Sequence, residues 1–185
     1  MKAWVEDYIG AHQRVVGSIP AGKVAELIEW VDGLRRASRT LFVCGNGGSA
    51  ANASHFAVDL GKSASRGRDP RFRVVSLNDN TPYLTAIGND LGYENLFVEQ
   101  LANLAGPGDG LLCMSVSGNS PNVVRVLEWA NEHDVVTVGL GSRRRGRLAE
   151  LAKHTVLIDD EHFGRVEDAH MHICHMVCYA FMENA

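Results

Sequence analysis

The chain has 185 residues, 45% of them hydrophobic and 22% charged, with 18 Lys and Arg against 22 Asp and Glu for a net charge of −4. That length suits one globular domain, the composition excludes wholesale disorder, and the charge offers no positive field to attract nucleic acid or an anionic membrane. No apolar stretch approaches the roughly 20 residues of a membrane span, and Glu6 and Asp7 stand where a secretory leader needs an apolar core.

Residues 1–38 read as helices. Trp4, Tyr8 and Val15 mark a first amphipathic segment, whose apolar face is expected to pack on this domain or on a neighbouring subunit. Val24, Leu27, Ile28, Val31 and Leu34 fall at the spacing of one helical face, and Pro20 suits the start of that second helix. From Thr40 short apolar runs alternate with helical stretches. The expected strands are 41–44, 73–77, 110–115, 135–140 and 154–158, with a helix from the first glycine loop to about Leu60 and another from Pro121 to His133. Apolar runs separated by helices predict an α/β fold: a five-stranded parallel sheet, buried on both faces and flanked by helices, with ligands beyond the strands' carboxyl ends.

Two polar stretches read as loops. One is Lys62 to Pro70; the other, Ser142 to Arg147, carries Arg143, Arg144, Arg145 and Arg147. No aromatic platform interleaves these arginines, so a solvated loop with some phosphate or partner contact is expected, and nucleic acid is not. Cys44, Cys113, Cys174 and Cys178 have neither zinc-ribbon spacing nor the density of a disulfide scaffold, which predicts a reduced, cytoplasmic protein.

Ser115-Val116-Ser117-Gly118-Asn119-Ser120-Pro121-Asn122 follows one strand and opens a helix. Ser120 is a natural N-cap and Pro121 fits the first helical position, leaving free backbone N–H groups and the positive helix end for an anion. Gly45-Asn46-Gly47-Gly48-Ser49-Ala50 holds the equivalent place after the first strand. It resembles a degenerate dinucleotide fingerprint, but no acid ends the second strand to bind a ribose. Two serine- and glycine-rich loops at neighbouring strand ends suit one small phosphorylated ligand.

Acid/base or metal chemistry is suggested by His55 and Asp59, four apart on one helix, and by Glu167, Asp168, His170, His172 and His175 on the last. By helical angle Asp168, His172 and His175 share a face most cleanly, while Glu167 and His175 lie about 80° apart and can still reach one point.

The blocks 45–56, Leu84-Thr85-Ala86-Ile87-Gly88-Asn89-Asp90, 115–122 and 167–175 together resemble the phosphoheptose isomerases, which are SIS (sugar isomerase) domain proteins. The resemblance implies a single flavodoxin-like SIS domain over residues 1–185. It also implies a homotetramer with active sites at subunit interfaces, and interconversion of sedoheptulose 7-phosphate and D-glycero-D-manno-heptose 7-phosphate. Position by position, Asn46, Gly47, Ser49, Ser115, Ser117 and Ser120 would hold the phosphate, and Asp90 and Glu167 would contact substrate. His55, Asp59, Glu167 and His175 fall at the family's metal and acid/base positions, implying Zn²⁺, with Asp59 and His175 as the catalytic pair. The family usually has Glu for Asp59, Gln for Glu167 and Thr for Val116. A family aspartate before the last helix has no clear counterpart around Phe163-Gly164-Arg165-Val166. Two rival readings follow from these departures: an isomerase of another phosphosugar, or a non-catalytic SIS protein that senses sugar phosphates or binds the replication initiator.

Overall fold

In a computed structural model that describes residues 1–184, five parallel strands form one sheet: β1 (Thr40–Gly45), β2 (Arg73–Ser76), β3 (Gly110–Met114), β4 (Val136–Ser142) and β5 (His154–Ile158). Their order is β2-β1-β3-β4-β5, with Phe42 opposite both Val75 and Leu111, and Leu112 opposite Val138. The chain leaves β1 to one side for β2 and returns on its other side for β3. Between the carboxyl ends of β1 and β3 it therefore opens a crevice, the place where a sheet of this order binds ligands.

The helices are α1 (Lys2–Gly17), α2 (Ala21–Arg36), α3 (Gly48–Val58), α4 (Thr81–Asp90), α5 (Val98–Leu104), α6 (Pro121–Glu132), α7 (Gly146–Leu151) and α8 (Phe163–Glu183). Strand alternation divides the core in two. Leu41 and Val43 of β1 face α2, α3 and α8, where Val31, Phe56, Val166, Ile173 and Val177 are buried. Phe42 and Cys44 face the opposite layer, where Ile87, Leu101, Val126, Leu127 and Leu148 are buried. All four cysteines are buried free thiols, and among the described residues no helix is long and apolar enough to cross a membrane.

Several expectations need correcting. The strand β2 sits at the sheet edge with Val75 38% exposed, so it is not buried on both faces as a central strand would be. Residues 59–64, half assigned to a loop, continue α3 as a π-helical turn (Asp59–Ala64), in which Gly61 lies close enough to Val74 that a Cβ there would approach its Cγ1 to 2.9 Å. Between β2 and β3 the chain makes α4, a 3-10 turn (Tyr93–Asn95) and α5, none of them separately foreseen. The arginine-rich stretch is also shorter as a loop than expected, because β4 runs on to Ser142 and α7 begins at Gly146. Val15 is the buried residue of α1, while Trp4 remains 62% exposed.

Candidate active site

Two loops wall the crevice, and each is shaped by its glycines. After β1, Gly45 packs so tightly on Ser49 that a Cβ would lie 2.7 Å from the serine Cβ, and Gly47 turns the chain into α3 with φ +58°. After β3, Gly118 takes φ +66° and lets the loop 115–120 fold under α7. The loops are tied together by their amide side chains. Asn46 Nδ2 donates to Asn122 Oδ1 at 2.8 Å, Asn122 Nδ2 donates back to Asn46 Oδ1 at 2.9 Å, and the Tyr93 hydroxyl adds a third bond to Asn46 Oδ1 at 3.0 Å. Tyr93 and Asn122 were not singled out from the sequence; Asn122 alone carried a signal, as the residue after a capping Ser-Pro pair.

Between the loops lies a small cleft lined by Asn46, Ser49, Met114, Ser115, Val116, Ser117, Ser120, Phe163 and Glu167. Its serines present hydroxyl hydrogens. The Ser115 Oγ accepts the Gly118 N–H at 3.1 Å and the Ser117 Oγ accepts the Asn119 N–H at 3.3 Å, and the two Oγ atoms lie 3.5 Å apart, a long contact from which an O–H can turn to a ligand. Ser120 occupies the N-cap of α6, with Pro121 following it as expected, but its side chain makes no capping bond; its Oγ lies 3.5 Å from that of Ser117. Three hydroxyls and the open end of a helix thus converge on one point, the requirement for holding an anion. Gly47 is at the mouth of an adjoining cleft, lined also by Asn78, Leu84, Thr85 and Phe97. Asp90, at the end of α4, is exposed, is held by Asn89 at 2.7 Å, and lines neither cleft.

Helices α3 and α8 run side by side away from this cleft, pinned where Asn52 Nδ2 donates to the Glu167 carbonyl at 2.8 Å. Glu167 lays its carboxylate over Gly48, where any Cβ would collide with it, and beside the Ser49 amide, whose N–H donates to the Asn46 carbonyl at 3.0 Å. Burial raises the Glu167 pKa above the usual carboxylate range, partly offset by that amide, with Asp168 adding to the rise. Two turns further along the seam, His55, Asp59 and His175 converge. His55 Nε2 lies 3.1 Å from Asp59 Oδ2, His175 Nε2 lies 3.3 Å from His55 Nε2, and His175 Nε2 lies 3.8 Å from Asp59 Oδ2.

These three donors fit a metal ion. Bonds of about 2.0–2.1 Å at a tetrahedral centre put ligand atoms about 3.3 Å apart, which falls within the observed 3.1–3.8 Å. Two imidazoles and a carboxylate with one side open to solvent are also the donor types of a catalytic Zn²⁺ site. Glu167, expected as a fourth ligand, is not in this group: it sits two turns earlier on α8, with its carboxylate over Gly48 in the serine cleft. Asp168 and His172 point elsewhere, toward α1, where Asp168 Oδ2 lies 3.8 Å from His12 Nδ1 and the His12 and His172 rings are 5.7 Å apart. His170 is wholly buried, with Nε2 3.0 Å from the Gly141 carbonyl, and burial drives its pKa down to about 4.

The family model of the SIS domain matches residues 7–142. A phosphoheptose isomerase of Trichlorobacter lovleyi is 36% identical over 174 residues, covering 94% of this chain and 88% of that relative. A probable phosphoheptose isomerase of Thermoplasma volcanium is likewise 36% identical, over the same share of each chain. Among solved structures, phosphoheptose isomerase GmhA from Neisseria gonorrhoeae superposes with a TM-score of 0.89 at 28% identity, covering 97% of both chains. A phosphoheptose isomerase from Francisella tularensis, at 22% identity, shares the fold with a TM-score of 0.86.

Proposed function

Because the chain belongs to the phosphoheptose isomerases of the SIS-domain family, we propose that it interconverts sedoheptulose 7-phosphate and D-glycero-D-manno-heptose 7-phosphate through an enediolate. In this reading Ser115, Ser117, Ser120, Ser49, Asn46 and Gly47 hold the phosphate, and the sugar chain runs along the α3–α8 seam toward His55, Asp59 and His175. Asp59 and His175 move the proton between C1 and C2 as an acid/base pair. Glu167 stands at the phosphate end of the seam beside Ser49, as an acceptor for a substrate hydroxyl.

The observation that carries this reading is the distance between the two ends of the site. From Ser49 to His55 is six residues of α3, and from Glu167 to His175 is eight of α8, or about 9 and 12 Å at 1.5 Å per residue. A phosphate on C7 lies about 9 Å from a reacting C2 in an extended chain, whereas in a triose phosphate it lies about 4 Å away. The spacing supports a long sugar. A Zn²⁺ ion held by His55, Asp59 and His175 would supply Lewis-acid polarisation of the carbonyl and hydroxyl oxygens. The chain's own groups orient the sugar, hold its phosphate and carry the proton.

A homotetramer with sites at subunit interfaces fits the same picture. Trp4, Val5 and Ile9 on α1 and Met176, Tyr179 and Met182 on α8 are exposed apolar residues, and Asp90 reaches neither cleft of its own chain. A reduced cytoplasmic setting is consistent with four buried thiols. The test is kinetic: Asp59→Ala and His175→Ala are each expected to lower kcat on sedoheptulose 7-phosphate by about 10²–10⁴-fold with KM little changed. Wild-type rates in both variants would refute the assignment, and light scattering of the purified protein at one subunit's mass would refute the tetramer.

A further inference from the structure

Four arginines crowd the turn between β4 and α7, and three of them have carboxylate partners. Arg143 pairs with Asp159 at 2.7 Å, Arg144 with Glu161 at 3.6 Å, and Arg147 with Glu150 and Glu128 at 2.5 and 3.4 Å. Arg145 is exposed and makes no ion pair among the described residues. Its backbone is the strained one. With φ +61° and ψ −68°, and with the Gly146 N–H donating to the Arg144 carbonyl at 2.7 Å, Arg145 is the central residue of a γ-turn of the positive-φ kind. That conformation is rare and costly for a residue carrying a Cβ, and glycine would adopt it freely.

The strained turn is built against the anion cleft. Leu148 N–H donates to the Gly118 carbonyl at 2.8 Å, Arg147 N–H donates to Asn119 Oδ1 at 2.9 Å, and Ser142 Oγ donates to the Val116 carbonyl at 2.6 Å. The Arg145 carbonyl sits so close to Gly118 that a Cβ there would collide with it. The cleft itself has no cation: its lining is hydroxyls, an amide, apolar groups and the Glu167 carboxylate. A phosphate dianion entering it meets donors but also one like charge. The Arg145 backbone packs on Gly118 of the serine loop, and an arginine stem of about 6 Å is long enough to bring its guanidinium from there toward the cleft mouth.

We propose that Arg145 is a phosphate-recruiting residue, the cation that this site uses to draw in and retain a phosphomonoester dianion, and that its strained backbone is kept because the charge is needed there. This deepens the reading of the serine cleft as the phosphate site and rests on it.

Two variants separate charge from strain. Arg145→Gly removes both, and Arg145→Gln removes the charge alone. Both are expected to raise KM for sedoheptulose 7-phosphate and the inhibition constant of inorganic phosphate by about tenfold, with kcat within twofold, and to flatten the fall of kcat/KM with added salt. Arg145→Gly alone is expected to raise the melting temperature, by about 2–4 °C. Phosphate and substrate constants within twofold of wild type in both variants would overturn the proposal, because a merely structural turn would move only the melting temperature. If the wild type fails to turn over sedoheptulose 7-phosphate, the isomerase reading falls, and calorimetric titration of inorganic phosphate into wild type and Arg145→Gln still decides the role of the arginine. Equal phosphate affinity there would overturn it.

Discussion

Asn46 and Asn122 clasp each other through two amide hydrogen bonds, of 2.8 and 2.9 Å, across the crevice between the first and third strands. Asn122 is fully buried, and its Oδ1 also accepts the Val123 N–H at the start of α6. The two loops after β1 and β3 are therefore one mechanical unit, and Asn122 holds the Asn46 side chain in place together with the Tyr93 hydroxyl.

Asn122→Ala removes both amide bonds of the clasp, leaving Asn46 only the Tyr93 hydroxyl, and leaves the Val123 N–H only the Ser120 carbonyl. A loss of about 1–3 kcal/mol in unfolding free energy is expected, because three hydrogen bonds worth roughly 0.5–1.5 kcal/mol each are lost. Urea denaturation measures it, and KM for the phosphosugar is expected to rise more than kcat falls. A variant as stable as wild type with unchanged KM would show that the clasp is dispensable.

The facing Nε2 atoms of His55 and His175, with Asp59 beside them, set the metal prediction. One Zn²⁺ per chain is expected, with His55→Ala and His175→Ala each weakening it by more than about 100-fold in competition against a chromophoric chelator. Glu167→Gln is expected to leave zinc affinity within a few-fold of wild type, since its carboxylate lies over Gly48 in the serine cleft, two turns of α8 from His175. A large loss of zinc in that variant would place Glu167 in the metal shell.

His170 gives the fold an acid sensitivity of its own. Its ordinary pKa of 6.5 falls to about 4 in the folded chain because burial disfavours the imidazolium. Between those values the unfolded chain binds the proton and the folded chain does not, so the stability it supports is complete above about pH 6.5 and is lost as pH falls toward 4. The shift corresponds to about 3 kcal/mol. His170→Gln, which keeps a donor for the Gly141 carbonyl, is expected to lose less stability than wild type between pH 7 and pH 4.5 in urea titrations. Identical pH slopes for the two proteins would contradict this origin.

Much of this molecule is legible in its sequence for a physical reason: the sheet is central and its strands are nearly all apolar. Runs such as Leu111-Leu112-Cys113-Met114 announce themselves, and the Ser-Pro cap at 120–121 marks where α6 starts. The edge strand β2, with its exposed Val75, does not follow that rule. The π-helical turn was hidden because its polar residues, Lys62 and Ser63, look like loop, while its fit depends on Gly61 meeting Val74 from a distant strand.

The site divides the same way. His55 with Asp59 is a local pair that helical spacing alone brings together, and His175 joined it through the family motif. Asp168 and His172 looked better placed by angle, yet α8 turns that face to His12 of α1, a contact that no local pattern encodes. Glu167, which the resemblance implies as both a metal ligand and a substrate contact, lies in the serine cleft and outside the three-donor group. Gly48 supplies the space in the serine cleft that the Glu167 carboxylate fills. Tyr93 is a surface residue of a short turn, and only the tertiary structure brings its hydroxyl to Asn46.

The most direct measurement is NMR of sedoheptulose 7-phosphate incubated in D₂O with the zinc-loaded wild-type protein and with Asp59→Ala. The expected result is an equilibrium mixture containing D-glycero-D-manno-heptose 7-phosphate, with solvent deuterium at C2 of the aldose, and no such product from the variant. An unchanged ketose with wild type, or equal product from both proteins, would contradict a proton transfer carried by the α3–α8 seam.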